Sequence, residues 1–72
     1  MSDFNHFFGV RLRAARHGVK LSQVALAELT GISQDLISHY EGGKSLPSLP
    51  SFLRLITALD VRPCYFFPSD AV

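Results

Sequence analysis

Phe4, Phe8 and Leu12 recur every four residues, and Phe7 and Ala15 widen the same stripe, so the chain opens with an amphipathic helix that Ser2 is placed to cap. Gly18 marks its expected end, in the left-handed turn that glycine adopts without strain. Ser22 caps a second helix, QVALAELT, whose apolar side is Val24, Leu26, Ala27 and Thr30 or Leu29, and Gly31 ends it. Ser33 caps a third, QDLISHYE, which buries Ile37 and Tyr40 and closes on Gly42 and Gly43. In KSLPSLPS, Pro47 and Pro50 forbid a helix interior but suit a cap and first turn. A fourth helix therefore starts there, with Phe52, Leu55, Ile56 and Leu59 at helical spacing. A short fifth helix is expected from Pro63.

Five helices on short turns, with neither strand alternation nor a tandem repeat, predict an all-α fold in a single domain spanning 1–72. The segment 22–42 has the form of a helix-turn-helix. Ala27 admits a closely crossing helix, Gly31 supplies the positive φ of a tight bend, and Ile37 and Tyr40 pack back onto Leu26 and the first helix.

A 72-residue chain buries only about 60% of the surface it exposes when unfolded, so its core must be efficient. Apolar residues at 47% and charged ones at 18% describe a globular domain and exclude a disordered one. Apolar runs fall far short of the roughly 20 residues of a membrane span, no basic-then-apolar leader opens the chain, and Cys64 has no disulfide or zinc partner. A cytoplasmic protein without membrane contact is expected. His6, His17 and His39 lack metal-ligand spacing, and no nucleophile–base pair, carboxylate dyad or phosphate loop is present, so neither metal, cofactor nor enzymatic activity is expected. His17 suits the C-terminal end of its helix. Net charge is only +1, yet Arg11, Arg13, Arg16 and Lys20 crowd the first third while the acids are scattered singly.

Across residues 8–67 the chain resembles the lambda-repressor-like (Cro/xenobiotic-response-element) class of bacterial and phage transcriptional regulators. The resemblance lies in the order and spacing of Arg16, LSQ at 21–23, LAELTGIS at 26–33, Ile37-Ser38, Glu41 and Gly43, Pro47, and ALDV at 58–61. It implies a five-helix domain with the second helix across a DNA backbone and the third in the major groove. Carried onto this chain, it makes Gln34, Asp35, Ser38 and His39 the base readers. Gln34 can pair bidentately with adenine, an interaction worth about 1–3 kcal/mol of discrimination, whereas Asp35 accepts from cytosine and is repelled by phosphates. The same resemblance gives phosphate contacts to Gln23, Ser33, Lys44 and Ser45, and makes Arg16 and Glu41 an internal ion pair. Arg11, Arg13 and Lys20 are further phosphate candidates by their charge.

A single recognition helix with few cations falls short of operator affinity, so a homodimer on a palindromic site is expected, its two third helices about 34 Å apart. Tyr65, Phe66 and Phe67 cannot all enter one small core from one short helix, which makes them candidates for the dimer interface within a segment 60–72. Asp35 and the low net charge keep a second class open: an antitoxin-like or adaptor module whose aromatic tail docks a protein partner, with weak or autoregulatory DNA binding.

Overall fold

The computed structural model describes residues 3–68. Four α-helices follow one another: α1 (Asp3–Gly18), α2 (Gln23–Thr30), α3 (Gln34–Glu41) and α4 (Leu49–Leu59). The fifth element corrects the expectation of a fifth α-helix: Pro63–Phe66 is a single 3₁₀ turn. Pro68 explains why it goes no further, because the residue before a proline is driven to extended backbone, and Phe67 has φ −124° and ψ 139°. The Ser2 cap and the last four residues of the segment 60–72 lie outside the described residues.

Serine oxygens start the inner helices. Ser22, Ser33 and Ser48 accept hydrogen bonds from the backbone N–H of Ala25, Leu36 and Ser51, each satisfying a donor the helix itself cannot pair. Gly31 ends α2 at φ 74°, the left-handed geometry that bends the chain into α3. After α1 the left-handed residue is Lys20, at φ 61°, and not Gly18. Backbone bonds from Val19, Lys20 and Leu21 to Ala15, His17 and Arg16 close that turn instead.

Phe8, Leu12, Leu26, Ile37, Leu55, Leu59 and Phe66 form the centre of one core, so α1, α2, α3, α4 and the 3₁₀ turn each contribute to it. On α2 the buried side is Leu26 and Thr30. Val24 and Leu29, expected to face inward, are 49% and 64% exposed. Thr30 takes an inward position because its hydroxyl donates to Leu26 O at 2.8 Å and accepts from Ile32 N, so its polar group is satisfied in the core.

Gly9 fixes how α1 meets α3. A β-carbon there would fall within 3 Å of the backbone of Tyr40 and Glu41, so the two helices touch main chain to main chain. That close approach sets α3 beneath α1 and turns its opposite side outward.

Candidate nucleic-acid interface

Gln34, Asp35, Ser38 and His39 are all exposed, while Ile37 and Tyr40 between them are buried. With about 3.6 residues per turn, Asp35 and His39 stand opposite Ile37, and Gln34 and Ser38 flank them on the side nearer Glu41. Leu36, not singled out from the sequence, joins this surface at 43% exposure. Ser33 is exposed at the front of the helix; its oxygen accepts from Leu36 N, which leaves its hydroxyl hydrogen available to another acceptor. Thus α3 is amphipathic at its leading edge: one side is anchored in the core and the other carries amide, carboxylate, hydroxyl and imidazole groups.

Beside this surface, Glu41 collects four hydrogen bonds from three side chains. Arg16 donates from Nε to Oε2 at 2.6 Å and from Nη2 to Oε1 at 3.0 Å. Arg13 Nε and Gln23 Nε2 donate to the same Oε1 at 3.3 and 3.1 Å. Arg16 also donates to Leu21 O at 2.9 Å, tying the turn before α2 into the cluster. Burial by itself would raise the Glu41 carboxyl, but the hydrogen bonds from Arg16 and Gln23, the Arg16 charge and the Arg13 hydrogen bond outweigh it and hold the group below the usual carboxylate value. The Glu41 hydrogen bond likewise raises Arg16 against its own desolvation. The family resemblance marked the Arg16–Glu41 pair alone; the attachment of Arg13 and Gln23 to it carried no local signal.

The expected phosphate contacts divide. Gln23 opens α2, half-buried, and Arg13, Lys20 and Lys44 are exposed. Ser45 is corrected, and Arg11 is turned toward aromatic rings. The Arg11 guanidinium sits over the rings of Phe7 and Tyr65, 5.0 and 4.8 Å from their centroids, on a different face of α1 from Arg13. The Ser45 hydroxyl is buried without a hydrogen-bond partner and offers nothing to a phosphate.

The aromatic triplet also divides. Phe66 is fully buried, its ring 4.7 Å from Phe8 and 5.5 Å from Phe52, so its assignment to a dimer interface is corrected. The tight 3₁₀ turn points this middle ring inward. Tyr65 is half-buried and donates its hydroxyl to Arg11 O at 3.0 Å. Phe67 remains 42% exposed, stacked on Phe4 at 5.6 Å. Among the described residues no His, Cys, Asp and Glu group is arranged to hold a metal ion, and no helix is long and apolar enough to cross a membrane.

Comparison with known proteins agrees with this geometry. Residues 8–64 match a helix-turn-helix domain family. Over 62 residues the chain is 36% identical to repressor protein C2 of Salmonella phage P22, covering 86% of this chain and 29% of that one. An uncharacterised HTH-type transcriptional regulator, y4aM, of Sinorhizobium fredii is 33% identical over 61 residues, covering 85% of this chain and 43% of its own. The chain therefore spans less than half of these two relatives. The crystal structure of the restriction-modification controller protein C.AhdI from Aeromonas hydrophila superposes with a TM-score of 0.82 at 40% identity, covering 88% of this chain and 96% of that one. The chain belongs to the helix-turn-helix domain family, of the lambda-repressor-like kind.

Proposed function

We propose that this protein represses transcription by binding a palindromic operator as a homodimer, with α3 of each protomer in the major groove. The observation that carries the reading is the exposed front of α3, where Gln34, Asp35, Ser38 and His39 stand on a helix whose other face is locked in the core. Groove recognition needs such rigidity, because a bidentate amide pairing cannot keep its geometry when its helix rocks. In this reading Gln34 pairs with adenine, His39 donates to guanine or a phosphate, Ser38 adjusts to its neighbour, and Asp35 selects cytosine while disfavouring other sites. Ser33, Gln23, Arg13, Lys20 and Lys44 hold the backbone.

A second copy of the chain is the proposed partner. Support comes from Phe67, Leu46 and Leu49, which are 42%, 42% and 68% exposed around one apolar cleft. Such a patch is costly to leave in water.

Selection from random-sequence duplex DNA tests the function. A symmetric enriched site, with recovery that collapses for Gln34→Ala, is the expected result. Featureless enrichment, or binding that Gln34→Ala leaves unchanged, overturns it; a copurifying unrelated chain would then favour an interaction module.

A further inference from the structure

Glu41 is the last residue of the recognition helix, and one of its oxygens receives hydrogen bonds from both α1 and the first residue of α2. We propose that Glu41 is a positioning residue for the DNA backbone, holding the Gln23 carboxamide and the Arg13 guanidinium side by side as a two-pronged clamp on a single phosphate. This inference rests on the DNA-binding function proposed above.

The chemistry of the carboxylate dictates the arrangement. An ionised carboxylate only accepts, so Gln23 must turn its nitrogen, and not its oxygen, toward Glu41. One amide N–H is spent there and the second stays available. Arg13 uses only Nε in the cluster; its side chain is 58% exposed, and its two terminal nitrogens have no hydrogen-bond partner among the described residues. Arg13 Nε and Gln23 Nε2 lie within 3.3 Å of the same oxygen, which brings the two side chains next to each other. Glu41 itself is 1% exposed at the side chain and faces two guanidinium groups, so its charge is masked from an approaching anion and the cluster stays net positive. Because the same residue ends α3, the clamp and the base-reading side chains are held in fixed register.

Affinity for the selected operator, measured across a salt series, tests the proposal with three variants: Arg13→Ala, Arg13→Lys and Glu41→Gln. Lysine keeps the charge but cannot bond the carboxylate through one nitrogen while offering two others, so Arg13→Lys should lose most of what Arg13→Ala loses, about tenfold per protomer. The slope of log affinity against log salt should fall by about 0.9 for each phosphate no longer neutralised. Glu41→Gln makes the protein more positive, yet positioning requires weaker binding and a shallower slope, in a variant shown by circular dichroism to be folded. Charge alone requires the reverse. Wild-type affinity and slope in Arg13→Lys, or tighter binding with a steeper slope in folded Glu41→Gln, overturns the proposal. Should Glu41→Gln unfold, Arg13→Lys decides. Loss of sequence preference as such is read separately by Gln34→Ala: if that variant binds like the wild type, the operator function falls while the Arg13 comparison still judges the clamp.

Discussion

A β-carbon on Gly9 would lie 2.6 Å from the carbonyl oxygen of Tyr40, closer than such atoms approach in folded proteins. Alanine is a better helix former than glycine by about 1 kcal/mol, so on an isolated α1 the change Gly9→Ala would stabilise. Here the obstacle is backbone, which cannot rotate aside. Gly9→Ala should therefore destabilise by about 1–3 kcal/mol, as overpacked sites do. Gly18→Ala is the contrast, since it meets nothing within 4 Å and needs no left-handed φ. It should be neutral or stabilising by up to about 1 kcal/mol. Urea denaturation of the two variants distinguishes local propensity from helix crossing.

Stability should fall in acid through Glu41. Its folded-state carboxyl is held below the ordinary value, so its contribution is complete above the unfolded value near pH 4.3 and is lost as pH drops through the lower folded one. Arg16, raised in the folded state, stays charged throughout that range and adds no slope. Glu41→Ala should cost about 3–5 kcal/mol at neutral pH, because Arg16, itself 8% exposed, is left buried without its partner. In Glu41→Gln the acid-dependent part of the unfolding curve should shrink, measured by denaturant midpoints between pH 3 and pH 7.

Adjacent phenylalanines should give opposite outcomes. Phe66→Ala removes a fully buried ring packed on Phe8 and Phe52 and should cost about 3–5 kcal/mol in stability. Phe67→Ser gives up only a partly exposed ring stacked on Phe4, about 0.5–1.5 kcal/mol of aromatic interaction. Its main effect should be on self-association. Sedimentation equilibrium should show Phe67→Ser displaced toward monomer while still folded; an unchanged dimer would place the interface elsewhere.

Legibility in the sequence followed the distance over which each cause acts. Ser22 and Ser33 bond a backbone N–H three residues ahead, and Gly31 bends the chain where it stands, so caps and turn could be read from neighbours alone. Ile37 and Tyr40 followed from helical periodicity. Gly9 carried no such mark: within α1 it reads as a weak helix residue, and its purpose emerges only when Tyr40 arrives from across the fold. Arg13 reaches Glu41 over 28 positions and Tyr65 reaches Arg11 over 54, separations at which spacing says nothing about proximity. Phe66 and Phe67 could not be told apart because α and 3₁₀ geometry aim successive side chains differently, and Pro68 decided between them.

The engagement of the arginines has a kinetic consequence. Arg11 lies over aromatic rings, Arg13 and Arg16 share one carboxylate, and Arg54 reaches Thr30 O, which leaves Lys20, Lys44 and Arg62 as the cations without such ties among the described residues. Little field extends beyond the surface of a chain whose net charge is +1. Diffusional encounter with duplex DNA should then be weakly steered, at about 10⁵–10⁶ M⁻¹ s⁻¹ and not the roughly 10⁸ of strongly complementary partners. Occupancy of a site would be governed by how long the protein dwells there, and scarcely by how fast it arrives.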